Sequence, residues 1–90
     1  MATFSAVKDP DEVLDYELDW STWLDGDTIA ASTITVEAGL TKDSDSNTTA
    51  RQTVWLSGGT AGSLYDVTFE IVTTGGRTAQ RTLVIRVRNR

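Results

Sequence analysis

The sequence predicts an all-β protein whose strands form two packed antiparallel sheets. Three observations support this prediction: apolar and polar side chains alternate along several segments, β-branched and aromatic residues are concentrated there, and turn signals recur about every ten residues. The chain has 90 residues, no cysteine and no histidine. A chain of this length holds a single core, and disulfides cannot support it. We therefore expect one sandwich domain over residues 13–90, preceded by an extended arm over residues 1–12.

The N-terminal arm carries apolar side chains that belong to no periodic segment. Phe4 and Val7 are these residues, and Asp9-Pro10-Asp11 is a turn signal. The stretch from Lys8 to Glu12 is too polar to bury and is expected at the surface. An apolar arm of this kind either forms an edge strand of its own domain or is donated to a neighbour.

The first predicted strand alternates apolar side chains with acidic ones. This is the pattern of a half-buried strand, with Leu14, Tyr16, Leu18 and Trp20 set against Asp15, Glu17 and Asp19. Trp20, Trp23 and Leu24 then follow the i, i+3, i+4 spacing of a helical face. We expect one short helical turn near Trp20–Leu24, with Ser21 or Asp19 as its cap, at one end of the core.

The remaining strands are predicted from apolar, β-branched segments between turn signals. They are expected over residues 28–38, 51–57, 64–74 and 77–88, with a brief strand over 40–42. The polar stretch 43–49 is predicted to be a surface loop, and the glycine-rich stretch 57–63 a tight connection. Trp55 lies in the middle of a predicted strand and is a candidate for the core indole.

The last hairpin can be assigned a register from its own pattern. A two-residue Gly75-Gly76 turn would pair Phe69 with Thr82 and mix apolar and polar side chains on both faces. A loop of odd length, either 75–77 or 74–78, pairs Phe69 with Leu83 and keeps the apolar side chains together. The same register gives the pairs Val67 with Ile85, Tyr65 with Val87, Asp66 with Arg86, and Thr68 with Val84. We expect this register, with a glycine-assisted bulge in the loop.

These segments amount to roughly six or seven short strands and one helical turn. That number and spacing are typical of an immunoglobulin-like two-sheet antiparallel sandwich. The Cys…Trp…Cys pattern of true immunoglobulin domains is absent, so only the architecture is predicted. A closed barrel is the alternative.

The charges are distributed unevenly along the chain. The net charge is −5, with 11 acidic residues and two lysines in residues 1–50, and two acidic residues and six arginines in residues 51–90. Two solvated faces would explain this, and so would head-to-tail contact between copies, since arginine pairs bidentately with carboxylates. Nucleic-acid binding is disfavoured by the negative charge. No apolar run suits a membrane span or an export signal, so neither is expected.

The residue types needed for catalysis are poorly represented. With no histidine and no cysteine, nucleophilic catalysis and a zinc site are disfavoured. Asp15, Glu17 and Asp19 share one strand face, where a solvated or partner-binding acidic surface is favoured over glycosidase chemistry. Asp43, Asp45 and Asn47 begin like a calcium-binding loop but lack its glycine and its final glutamate. We expect no enzyme activity, no cofactor and no metal.

Several segments together resemble small proteins of tailed bacteriophages and prophages. The segments are 8–24, which reads KDPDEVLDYELDWSTWL, 54–62, which reads VWLSGGTAG, and the shorter runs 65–67 and 75–78. The likeness extends from about Lys8 to Arg88. Proteins of this group are similar to immunoglobulin-like virion components, which are encoded among head and tail structural genes. The resemblance implies a structural role in the virion, after synthesis in the cytoplasm of a bacterial host.

The leading functional expectation is a capsid decoration or cement protein that stabilises the outer shell. Its partners would be the major capsid protein or other virion proteins, and it would form a homo-oligomer, with a trimer expected. A tail or head–tail connector component is the alternative. A carbohydrate-binding or adhesion module using Trp20, Trp23 or Trp55 is an alternative of another class. The expected contact residues are Phe4, Val7, Asp9, Asp11, Glu12, Asp15, Glu17, Arg77, Arg81, Arg86, Arg88 and Arg90.

Overall fold

The protein is a β-sandwich of two sheets, as predicted. A computed structural model describes residues 2–89, so Met1 and Arg90 lie outside the described residues. Seven strands and one short helix occur within residues 2–89, in the order β1 (Ala2–Lys8), β2 (Leu14–Asp19), α1 (Ser21–Leu24), β3 (Ile29–Val36), β4 (Leu40–Asn47), β5 (Arg51–Gly58), β6 (Leu64–Thr73) and β7 (Thr78–Val87).

One sheet has four strands and the other has three. The four-stranded sheet has the order β1-β7-β6-β3, and the three-stranded sheet has the order β2-β5-β4. All pairs are antiparallel except β1 with β7, which run parallel over seven residue pairs from Ala2↔Arg81 to Lys8↔Val87. The arm is therefore an edge strand of its own sheet. We call the end of the sandwich that carries α1 and the loops 25–28 and 74–77 the α1 end. The opposite end is called the Lys8 end.

The core between the sheets follows the predicted alternation. In β6, Tyr65, Val67, Phe69 and Ile71 are buried, and in β7 Leu83, Ile85 and Val87 are buried. Trp20, immediately before α1, is fully buried, and the carboxylate of Asp19 accepts a hydrogen bond from the Ser21 amide at 2.8 Å. The helical turn therefore closes the core at one end, as expected.

Trp55 is not the core indole, contrary to the sequence-based interpretation. Val54 and Leu56 on either side of it are fully buried, whereas Trp55 is 43% exposed. Because successive strand residues point to opposite faces, two buried neighbours require Trp55 to point outward. Trp20 is the core indole instead.

The β6–β7 hairpin has the predicted parity but not the predicted register. Phe69 pairs with Arg81 and Val67 with Leu83, two residues away from the expected partners. The loop is Thr74-Gly75-Gly76, closed by the Thr73 amide donating to the Arg77 carbonyl at 2.8 Å, and Gly76 has φ +87°. A shift of two residues leaves every side chain on the same face, so alternation along the strands cannot detect it.

β4 replaces the predicted surface loop over residues 43–49. It pairs with β5 from Leu40↔Gly58 to Asn47↔Gln52, with a bulge between Lys42 and Ser44. Its side chains beyond Leu40 are exposed, so the stretch is at the surface as predicted, but its backbone belongs to the sheet. An edge strand with both faces in solvent has no apolar alternation. Charges and a bulge are typical of such edges because they discourage pairing with other chains.

Two buried polar side chains connect the sheets. Gln52 accepts a hydrogen bond from the Trp20 indole at 2.8 Å and donates to Ser32 Oγ at 2.9 Å and to the Glu70 carbonyl at 3.1 Å. Lys8 is fully buried, which corrects the expectation that the stretch beginning there is too polar to bury. Its Nζ donates to the carbonyls of Gly58 at 2.7 Å and Asp9 at 2.9 Å, and these bonds compensate for the lost hydration.

Candidate functional site

The outer face of the three-stranded sheet is acidic and has one exposed tryptophan at its centre. Trp55 on β5 lies between Asp15 on β2 and Ser44 on β4, its cross-strand partners. Glu17 and Asp19 continue the acidic row along β2, and all three carboxylates are exposed. We call Asp15, Glu17, Asp19 and Trp55 the acidic face. The alternation predicted from the sequence is the reason that these carboxylates share one side.

Arg51 partly neutralises one end of the acidic face. Its guanidinium lies 3.5 Å from the Glu17 carboxylate and 3.7 Å from the Asp19 carboxylate. Hydrogen bonds from Ser21 lower the pKa of Asp19, and Arg51 lowers it further. Asp15 forms no ion pair within residues 2–89, so the negative charge beside Trp55 stays unneutralised there.

The outer face of the four-stranded sheet has different chemistry at the Lys8 end. Leu64 pairs with Arg86, which pairs in turn with Val7, so the three lie in one row across β6, β7 and β1. Leu64 is 60% exposed, Val7 and Val84 are half-buried, and Arg86 is exposed. We call Leu64, Val7, Val84, Arg86 and the exposed Arg88 the Leu64 patch. It combines apolar surface with two arginines, and it is bordered by the exposed Asp66, the cross-strand partner of Val84.

Two of the predicted contact arginines are used within the molecule at the α1 end. Arg77 donates to the Leu24 carbonyl at 2.7 Å and to the Asp27 carboxylate at 3.2 Å, and its guanidinium lies over the Trp23 ring at 4.3 Å. Arg81 is half-buried, with its guanidinium 4.6 Å from the Trp20 ring centroid. Both residues hold the loops and the helical turn to the end of the sandwich.

Asp27 organises the same end. The Thr73 hydroxyl, the amides of Thr28 and Gly75, and Arg77 all hydrogen-bond its carboxylate, and they lower its pKa to about 2, with the Thr73 bond as the largest cause. A carboxylate with this many donors is stabilised in its charged form. The arrangement is a structural brace between the loops 25–28 and 74–77.

Four further predicted contact residues, Phe4, Asp9, Asp11 and Glu12, lie in the arm. The Phe4 ring packs against Phe69, with centroids 6.1 Å apart, so Phe4 faces the core. Asp9 to Glu12 form the predicted turn, in which the Glu12 carboxylate accepts from the Asp9 amide at 2.8 Å. Asp11 is exposed in this turn. Arg90 was also predicted as a contact residue and lies outside the described residues.

The tryptophans do not form a common platform. Trp20 is buried, Trp23 is half-buried under Arg77 with its ring T-shaped to Trp20, and Trp55 lies on a different face. Residues 2–89 enclose no pocket and contain no group of three or more His, Cys, Asp or Glu side chains placed to hold a metal. Over the same range, the four-residue α1 is the helix present, and it is too short to cross a bilayer.

Sequence reasoning missed Leu64 as a surface residue, although the signal was available. Tyr65, Val67, Phe69 and Ile71 form the apolar set that faces inward, so the preceding Leu64 must face outward. The same parity argument identifies Trp55 from Val54 and Leu56. An apolar residue of the wrong parity in a predicted strand is therefore a useful marker of an exposed apolar side chain.

Comparison with known proteins gives a family match over most of the chain. A family model described as "Podophage GP4 fiber-tail adaptor protein gp77" matches residues 8–86. The matched range includes β2 to β6 completely and nearly all of β7. No curated protein matches the chain.

Proposed function

The chain belongs to the family of the podophage GP4 fiber-tail adaptor protein gp77, and on that premise we propose that it joins a fiber to the tail of a phage particle. Membership in this family makes the protein a structural, tail-associated component of a virion, made in the host cytoplasm, as the sequence resemblance implied. The first expectation, a capsid decoration protein, has no support from the family, and the tail alternative fits better.

The family match over residues 8–86 is the observation that carries this proposal. Two features of the surface support it. The acidic face and the Leu64 patch lie on opposite faces of the sandwich and differ in charge, so the chain can contact more than one neighbour in an assembly, other copies of itself included. Both contacts would be made by binding, so we propose no enzymatic role.

A rigid body between the two surfaces supports the same role. Gln52 hydrogen-bonds the sheets to each other inside the core, and Lys8 ties β1 of one sheet to the end of β5 in the other. Side chains pack tightly in such a core, so it transmits displacement with little deformation. An adaptor of this kind holds its neighbours in the particle at a fixed separation.

The experiment is a gene disruption in the phage, with the purified chain added back. Particles made without the protein would be examined by electron microscopy for fibers, and their shells tested for loss of DNA on heating. We expect full capsids with normal heat resistance, tails without fibers, and little adsorption to host cells. Adding back the wild-type chain should restore fibers and adsorption.

Two outcomes would contradict the adaptor role. Particles that keep their fibers and adsorb normally would contradict the adaptor role directly. Particles with normal fibers but fragile shells would support capsid decoration instead. Quantitative mass spectrometry of purified particles gives a further check, because a few copies per particle agree with a tail position and hundreds agree with a shell position.

A further inference from the structure

The part of the acidic face at the Lys8 end pairs one charge with one large apolar side chain. Asp15 and Trp55 are direct cross-strand partners on β2 and β5, and Asp15 has no ion pair within residues 2–89. Trp55 is 43% exposed although its strand neighbours are fully buried. Tryptophan is enriched in the energetically dominant centres of protein interfaces.

The Leu64 patch has the same arrangement with the opposite charge. Leu64 and Arg86 are direct cross-strand partners on β6 and β7, and neither Arg86 nor Arg88 forms an ion pair within residues 2–89. Leu64 is 60% exposed, the largest exposed fraction among the large apolar side chains described. Arg88 follows Arg86 by two residues and adds a second positive charge at the same end.

From this correspondence we propose that the acidic face of one copy binds the Leu64 patch of a second copy of this chain. Trp55 of one copy contacts Leu64 of the next, and Arg86 of the second copy pairs with Asp15 of the first. A charged and an apolar residue lie on adjacent strands in both patches, so the two contacts form at once. The occupant is a second copy because this chain itself carries both complementary surfaces.

The apolar contact supplies most of the binding energy. Exposed ion pairs contribute little free energy, whereas an arginine forms a bidentate, directional pair that fixes orientation. A standard interface takes about 800 Å² from each partner. That is about a sixth of the 5013 Å² surface of this protein.

The position of the two patches determines the kind of assembly. They lie on opposite faces but both toward the Lys8 end, since Asp15 is adjacent to the start of β2 and Leu64 begins β6. Two different surfaces make a heterologous contact, which repeats from copy to copy and closes into a ring where the rotation allows. The α1 end of every copy is left free for other partners.

The test is self-association of the purified full chain, measured by sedimentation equilibrium from roughly 1 to 300 µM, the range that reports dissociation constants of contacts this size. We expect association in the wild type and at least a tenfold weaker constant in Asp15→Lys and in Arg86→Glu. The double variant Asp15→Lys, Arg86→Glu should recover most of the affinity, because the pair is restored with its charges exchanged. Asp25→Lys, at the α1 end, is the matched control and should associate like the wild type.

A second measurement follows Trp55 directly. Iodide quenching of tryptophan fluorescence should fall as the protein concentration rises, and Leu64→Ser should abolish that change while circular dichroism stays unaltered. A chain that remains monomeric at every concentration would overturn the proposal. So would association that the single reversals leave unchanged, or a double variant that binds no better than either single one. The proposal does not depend on the adaptor role, since these measurements use the purified chain alone.

Discussion

Replacing Gln52 by Leu removes the side chain that hydrogen-bonds the two sheets to each other inside the core. Gln52 is fully buried and makes three bonds, to Trp20, Ser32 and the Glu70 carbonyl. Leucine has a similar volume, so the substitution opens little space. It leaves the fully buried Trp20 indole N–H without its acceptor, and a buried unpaired donor costs about 1–3 kcal/mol.

The net destabilisation should be about 2–4 kcal/mol. The unpaired indole N–H of Trp20 contributes most of this destabilisation, and the lost hydrogen bonds to Ser32 and Glu70 add to it. Removing the buried amide of Gln52 offsets part of the cost. Small domains have a net stability of about 5–15 kcal/mol. A loss of this size lowers the melting temperature by roughly 10–30 °C, at about 4–8 °C per kcal/mol for a domain of this length.

Urea unfolding followed by circular dichroism measures the change, with thermal melting as a second reading. The control is the same substitution in a Trp20→Phe background, where there is no indole N–H to lose its acceptor. There Gln52→Leu should cost about 1–2 kcal/mol less than in the wild type, a coupling expected of residues in direct contact. A Gln52→Leu variant within about 0.5 kcal/mol of the wild type would refute the reasoning, because buried polar groups that lose their partners cost more than that.

Three further predictions concern single residues. Lys8→Met keeps the buried stem but loses both Nζ hydrogen bonds, so it should cost about 1–3 kcal/mol in urea unfolding and speed amide exchange in β1; unchanged exchange there would contradict the role of Lys8 in holding the strand. Asp27→Asn should lower the urea midpoint at pH 7. Because the folded pKa of Asp27 is depressed from 3.8 to about 2, the carboxylate stabilises the fold above about pH 4 and the difference should vanish as the pH falls toward 2; a difference independent of pH would rule this out. Gly59→Ala places a Cβ 2.7 Å from Val87 and should destabilise more than Gly62→Ala, which has a similar positive φ but no atom within 4 Å; equal melting temperatures would mean that the contact is relieved without cost.

Side-chain alternation made much of the sandwich predictable. β2 is recognisable because its acidic and apolar residues separate cleanly, and β6 because the apolar residues Tyr65, Val67, Phe69 and Ile71 follow one parity. The odd hairpin loop also followed from parity. The register within that parity did not, because pairing Phe69 with Arg81 or with Leu83 leaves the same side chains inside. That choice depends on the conformation of Thr74-Gly75-Gly76, which periodicity does not encode.

The errors have a common physical origin in groups whose partners are distant in sequence. β4 is a strand because its backbone pairs with that of β5, and the polar side chains of β4 do not indicate that pairing. Lys8 is buried because the Gly58 carbonyl, 50 residues away, accepts from its Nζ. The acidic row of the candidate surface was predictable from β2 alone. The placement of Trp55 beside Asp15 required the register of β2 with β5.

Under the proposed adaptor role, the parallel pairing of β1 with β7 has a mechanical consequence. The molecule measures 41 × 22 × 20 Å, and its strands connect the α1 end to the Lys8 end. A pulling force between these ends acts along the strands. It shears β1 against β7 and loads the hydrogen bonds of all seven residue pairs at the same time. A force directed across the sheet would peel β1 away one pair at a time. The β1–β7 pairing should therefore resist tension along the strands far better than tension across the sheet.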